Sequence, residues 1–317
     1  MSKSFTGVHT LYVRPEAIQE IYQLKTLGYK RINELELSIK EVEDAGFSRV
    51  KEIIPWHLYP NLFMVLTAEE FGDKKTAIVR VGQGEVSLIK DFGKTPIFGL
   101  RPKNKEQHML LNTLTDENVR CQVICGRAGS GKTICALATA LHLLFEKKVG
   151  YEKIILTRPM SPIGKDLGSL PGEVSDKFLP YLNNYFDNVD ALMGSNGRGY
   201  LERAVEKGQI EFLPLQLIGG ASWHNAIVIA DEVQSLNAEE MYALGTRPAS
   251  GTKLILLGDY RQRYGQRASI EQSGLWRVVN SDVSKKAPEI ASIELIKTER
   301  SRMAALFGDI FQDSLDA

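Results

Sequence analysis

The sequence predicts an α/β fold with a mainly parallel sheet, preceded by a small helix-plus-β region. Two observations predict it. Beyond residue 118, short apolar segments alternate with helical ones. Such alternation builds a parallel sheet covered on both faces. At one strand–helix junction, residues 126–133 read GRAGSGKT, a full match to the phosphate-binding pattern G-x-x-x-x-G-K-[S/T].

The elements follow in order. Residues 1–49 read as a helical segment: Ile18, Ile21, Tyr22, Leu24, Leu35, Leu37, Ile39 and Val42 recur at helical spacing within 14–46. Residues 50–100 read as a small β unit, with strands at 62–67, 76–81 and 85–90 separated by glycine turns. Pro96, Gly99 and Pro102 punctuate a linker over 93–107. Residues 101–317 form the main unit. Its expected strands are 120–125, 153–157, 209–213, 226–230, 253–257 and 291–296, and its expected helices are 132–145, 173–193 and 238–244.

Composition narrows the function classes. The chain has 317 residues, 43% of them hydrophobic, so wholesale disorder is excluded. No run of about 18 apolar residues exists to cross a membrane as a helix. The start, MSKSFTGVHT, lacks the apolar core of a signal peptide, which makes the cytoplasm the expected location. Cys121, Cys125 and Cys135 cannot all pair and read as reduced, buried thiols. Five scattered His without a C-x-x-C pair argue against a zinc site. With 39 Lys+Arg against 39 Asp+Glu, the chain does not coat nucleic acid by bulk charge. A local strip is another matter: residues 247–303 hold 11 basic and 6 acidic residues.

The glycine-rich stretch carries the first chemistry. Gly126, Ala128, Gly129, Ser130 and Gly131 let the backbone curl so that its N–H groups face phosphate oxygens. The positive end of the following helix, entered through Lys132, Thr133 and Ile134, adds favourable charge. Lys132 reaches the β- and γ-phosphates of ATP, and Thr133 holds Mg²⁺. The second chemistry is the apolar strand AIVIA ending in Asp231 and Glu232. Asp231 would bind Mg²⁺, and Glu232 would position and deprotonate the attacking water. Two successive acids divide metal binding from base duty, which favours hydrolysis over transfer to a substrate hydroxyl. A third apolar strand runs into Gly258, Asp259 and Tyr260 and leads to Gln262, a γ-phosphate sensor or an ordinary loop glutamine on its chemistry alone.

Together these motifs resemble the PhoH family of P-loop ATPases, related to superfamily 1 helicases. The resemblance covers about residues 96–310 and rests on PKNKEQ (102–107), GRAGSGKT, IILTRP (154–159), GSLPGE (168–173), ADEVQ (230–234) and LGDYRQ (257–262). It implies a RecA-like P-loop core. By the same resemblance Gln107 contacts adenine and Arg158 lies near nucleotide or nucleic acid. Gln234 and Gln262 couple nucleotide state to substrate, and Arg300 is the candidate arginine finger. It also implies a homo-oligomer, with a hexamer favoured. Residues 50–107 look like the connector of the branch that carries a PIN nuclease, and that nuclease is expected to be missing.

Two stretches depart from the family pattern. Where relatives usually carry Arg-Gly-Arg before the acidic strand, this chain has Gly219, Gly220, Ala221, Ser222 and Trp223. The sensor loop reads YRQRYGQR over 260–267. Its Arg261, Arg263 and Arg267, interleaved with Tyr260 and Tyr264, suit RNA or single-stranded DNA through phosphate contact and base stacking. A surface loop with solvated arginines is the plain alternative. The expected function is a nucleic-acid-associated, helicase-like ATPase acting as a ring. An ATP-switched assembly module with little turnover is the competing reading.

Overall fold

The computed structural model describes residues 10–11, 59–67, 76–82, 86–159, 174–259, 273–299, 303 and 306. The helix expected over 14–46 lies outside them. The described chain holds two sheets. In the smaller, β1 (Thr10–Leu11) lies parallel to β2 (Phe63–Thr67), and β2, β3 (Thr76–Val81) and β4 (Val86–Leu88) form an antiparallel meander.

Polar ties fix this small sheet to the rest. Asn61 Nδ2 donates to the carbonyls of Pro288 and Ile290 at 3.0 and 2.8 Å. Arg80 pairs with Asp116 at 2.7 Å. On the other side of Asp116, the buried Lys253 ammonium donates to the Asp116 and Val119 carbonyls at 2.8 and 2.5 Å. Burial pushes the pKa of Lys253 down to about 7.

The larger sheet has six parallel strands: β5 (Cys121–Gly126), β6 (Lys153–Arg158), β7 (Ile210–Pro214), β8 (Ala226–Ala230), β9 (Lys253–Gly258) and β10 (Ile290–Leu295). Their order is β10-β5-β9-β8-β6-β7. From β5 the chain passes over two strands to reach β6, so the carboxyl end of β5 is a topological switch point. Open α/β sheets bind ligands at such points. This is the RecA-like P-loop arrangement, with β9 lying between β5 and β8.

Both faces are covered. Ile124, Ile154, Leu156, Ile227, Ile229, Ile255 and Leu257 pack into one core. It is shared with α1 (Lys105–Leu114), α2 (Lys132–Leu141), α3 (Val174–Met193) and α4 (Gly197–Glu206). Val123, Ile155, Val228, Leu254 and Leu256 face the other way, against α5 (Ala238–Gly245) and α6 (Gly274–Asn280). A short α7 (Asp282–Lys286) leads into β10. Each buried Leu, Ile or Val contributes about 1.5–3 kcal/mol, which is why the inner strands β6, β8 and β9 are so rich in them.

Strand parity aims the polar ends. Side chains alternate along a strand. Arg158 two positions after Leu156, Asp231 two after Ile229 and Asp259 two after Leu257 therefore fall on the α1–α4 face.

Several elements differ from expectation. The last three residues of the expected linker, 105–107, open α1, which runs on to Leu114. Asn104 caps it, accepting from Gln107 N at 2.9 Å, and Met109, Leu110, Leu111 and Leu114 bury its apolar face. The helix expected over 132–145 ends as α-helix at Leu141 and continues as a π-helical turn, His142–Lys147. Helices α4, α6 and α7 had no counterpart in the sequence reading.

Candidate nucleotide site

The site begins where β5 ends. Gly131 sits in the left-handed region at φ 95 and opens α2 with no side-chain cap. The first N–H groups of α2 are thus left facing outwards, the arrangement that binds anions. The loop is packed too tightly for side chains. A Cβ on Gly131 would lie 2.7 Å from Gln107 Nε2, and one on Gly126 would lie 2.6 Å from the Leu295 carbonyl. Ser130 is fully buried, and its hydroxyl has no hydrogen-bond partner among the described residues.

Lys132 folds back over the loop. Its ammonium donates to the carbonyls of Gly126 and Arg127 at 2.6 and 3.1 Å. Burial holds its pKa below the ordinary value, while Asp231, Asp259 and Glu232 pull it back up. Thr133 follows on the side of β8. Its Oγ1 lies 3.4 Å from Asp231 Oδ2, although the two residues are 98 positions apart.

Asp231 is buried, and burial pushes its carboxyl up to about 6, with Glu232 adding in the same direction. Arg158 and Lys132 oppose that rise. Glu232 stands in the left-handed region at φ 58 and ψ 31, which costs a non-glycine residue about 1–2 kcal/mol. Two hydrogen bonds hold it there. Its N–H donates to Asp231 Oδ1 at 2.9 Å, and Gln234 Nε2 donates to Glu232 Oε2 at 2.6 Å. The other end of the Gln234 amide accepts from Asp259 N at 3.1 Å. One glutamine therefore joins the tip of the acidic strand to the tip of β9.

These groups line a pocket of about 350 Å³. Ala128, Gly129, Gly131, Lys132, Thr133, Ile134 and Gln107 are on its wall, with Asp231 and Glu232. Gln107 is held by both ends. Its Oε1 accepts from Lys103 N at 2.9 Å, and its Nε2 donates to the Ser130 carbonyl at 3.0 Å. An amide has two N–H groups and two lone pairs, so one of each remains. Arg158 is not on the pocket wall; it acts on Asp231 electrostatically. Gln262, Arg300, Arg261, Arg263 and Arg267 lie outside the described residues, as does the GSLPGE stretch.

The structure adds residues that sequence reading missed. Leu100, Lys103, Asn184, Asn188, Asp259 and Glu299 also line the pocket. A strap after β10 closes one side. Ile296 N and Lys297 N donate to the buried Glu106 carboxylate at 2.7 and 3.1 Å. Glu299 N donates to the Gly129 carbonyl at 2.9 Å, and Asn104 Nδ2 to Glu299 Oε1 at 2.9 Å. The spacing Asn104-x-x-Gln107 was the signal available for the α1 cap; nothing in sequence marks Glu299. The stretch that replaces Arg-Gly-Arg is structural at its end. Trp223 is buried, and its carbonyl accepts from Thr252 Oγ1 at 2.7 Å.

Comparison with known proteins identifies the family. A family model described as PhoH-like protein matches residues 99–312. The chain is 31% identical over 307 residues to a protein named PhoH2 from Bacillus subtilis, covering 96% of this chain and 64% of that protein. It is 35% identical over 229 residues to PhoH2 of Thermobispora bispora, covering 72% of this chain and 50% of that one. It thus spans roughly half to two thirds of the length of these relatives. Among solved structures, Pif1 helicase from Candida albicans gives a TM-score of 0.35 at 16% identity over 68% of this chain and 44% of its own. That likeness is too weak to inform function. The family match alone spans well over half of the chain, and this protein belongs to the PhoH family.

Proposed function

We propose that this chain binds ATP with Mg²⁺ and hydrolyses it, coupled to RNA or single-stranded DNA in a homo-oligomeric, hexameric ring. The observation that carries the ATPase reading is the meeting of Thr133 and Asp231 beside Lys132 in one pocket. A hydroxyl and a carboxylate oxygen at that spacing suit a hard cation whose other ligands are phosphate oxygens and water. Mg²⁺, when bound there, would neutralise charge on the phosphates.

The chain's own groups divide the remaining work. The open N–H groups of the loop and of α2 cradle phosphate. Lys132 leaves the Gly126 and Arg127 carbonyls for phosphate oxygens, a better partner for an ammonium. Glu232 takes the proton as the water oxygen attacks the γ-phosphorus, and ADP leaves with the electrons of the broken P–O bond. The spare N–H and lone pair of Gln107 match the acceptor and donor on one edge of adenine. Gln234 passes a change at Glu232 to Asp259, and so to the strand end that leads to Gln262.

Arg300 is the proposed finger. Glu299, its neighbour in sequence, is tied to Gly129 of the same chain. That tie favours a finger that serves its own nucleotide. Arg300→Ala should lose turnover about 10³-fold while retaining ATP binding. Mixing it with Glu232→Gln protein should restore nothing, whereas recovered turnover would place the finger between subunits.

The nucleic-acid reading rests on the arginines and tyrosines of 260–267. ATP turnover should rise with poly-RNA or single-stranded DNA. Combined Ala substitution of Arg261, Arg263 and Arg267 should weaken nucleic-acid binding at least tenfold, as expected for three lost phosphate contacts. Unchanged binding in a filter assay at fixed salt would remove this reading. ATP-dependent oligomers with negligible turnover would instead establish the assembly-switch alternative.

A further inference from the structure

Helix α3 contributes two asparagines to the nucleotide pocket that no motif marks, Asn184 and Asn188. They lie one helical turn apart, on one face. Asn188 Nδ2 donates to the Asn184 carbonyl at 2.6 Å and to Asn184 Oδ1 at 3.0 Å. A backbone carbonyl only accepts, so this bond fixes which end of the Asn188 amide is nitrogen. Both Asn188 N–H groups are then engaged. What remains is the Asn188 Oδ1 acceptor and the Asn184 Nδ2 donors.

The position of the pair along the pocket says what it meets. One turn beyond Asn188, the Leu192 carbonyl lies 3.1 Å from where a Cβ on Gly99 would stand. The next residue, Leu100, is a pocket wall together with Lys103 and Gln107. At its other side, Asn184 is followed by the buried Tyr185, whose phenol lies within electrostatic reach of Asp231 and Glu232. The asparagines therefore stand between the Gln107 end and the Asp231–Glu232 end. In a nucleoside triphosphate the group between base and phosphates is the sugar.

We propose that Asn184 and Asn188 read the ribose hydroxyls of the bound nucleotide, with Asn188 Oδ1 accepting from one hydroxyl and Asn184 Nδ2 donating to the other. A fixed acceptor beside a donor complements a vicinal diol, and such a site rejects a ligand that lacks one of its hydroxyls. This rests on the ATP-site reading above.

The test compares kcat/KM for ATP, 2′-deoxy-ATP and 3′-deoxy-ATP in wild type, Asn188→Ala and Asn184→Ala, with thermal melts to confirm folding. Wild type should favour ATP about tenfold over either deoxy nucleotide, one lost hydrogen bond being worth about that factor. In Asn188→Ala the ratio should fall close to one, which a merely structural role would not produce. Asn184→Ala, which removes the Nδ2 donors and one of the two bonds that hold the Asn188 amide, should reduce the ratio as well. A wild-type ratio within twofold of one, or a ratio unchanged in both variants, would overturn the ribose reading and leave the ATPase reading standing. Failure of wild type to bind any of the three nucleotides by calorimetry would overturn both.

Discussion

Lys132→Ala is expected to lower ATP turnover about 10³-fold, roughly 4 kcal/mol of transition-state stabilisation. The size follows from where the ammonium sits. It is held in a low-dielectric pocket between loop carbonyls and three carboxylates. It needs little reorganisation to meet charge that builds on the γ-phosphate. The folded state should change little, because the variant loses only two hydrogen bonds to loop carbonyls. A melting curve beside a phosphate-release assay separates the two effects. Comparable turnover in the variant would mean that Lys132 has no part in the chemistry.

The second large effect is expected at Glu232. Glu232→Gln should cut turnover about 10²–10⁴-fold, the usual contribution of a general base, with ATP affinity retained. An amide keeps the shape and can still meet Gln234, but it cannot take a proton. The left-handed backbone at Glu232 is informative here. A bulky residue persists in that conformation only where the surroundings hold it, and the Asp231 and Gln234 bonds do so. Single-turnover measurement with calorimetric ATP binding checks the split. Loss of binding in step with turnover would assign Glu232 to nucleotide affinity instead.

The six-stranded sheet was legible in the sequence to within a residue or two. The inner strands β6, β8 and β9 are buried on both faces and carry apolar runs, whereas the edge strands β7 and β10 are interrupted by Glu211 and Glu294. The connecting helices were less legible. Helix α4 opens with Gly197-Arg198-Gly199, whose glycines lower helix propensity, and it is held by packing on α3. Helix α6, GLWRVVN, is too short and too rich in β-branched residues to show helical periodicity. Helix α1 was hidden behind Pro102 in a polar stretch, although Asn104 and Gln107 carry the cap spacing.

The candidate site divides in the same way. Lys132, Thr133, Asp231 and Glu232 were legible because each lies inside a short run whose spacing serves one task. Leu100, Lys103, Asn188 and Glu299 were not. They reach the pocket from three separate segments and meet only through tertiary packing. Gln107 was noticed by resemblance. Its bonds to Lys103 and to the Ser130 carbonyl could not be read from sequence, and these tie α1 to the phosphate loop.

Phosphate release from ATP by the wild-type chain, with and without Mg²⁺ and with and without poly-RNA or single-stranded DNA, is the most direct measurement. Turnover that requires Mg²⁺, rises with nucleic acid and vanishes in Glu232→Gln is the expected result. A folded wild-type chain that binds Mg²⁺–ATP yet releases no phosphate under any of these conditions would contradict hydrolysis at this site.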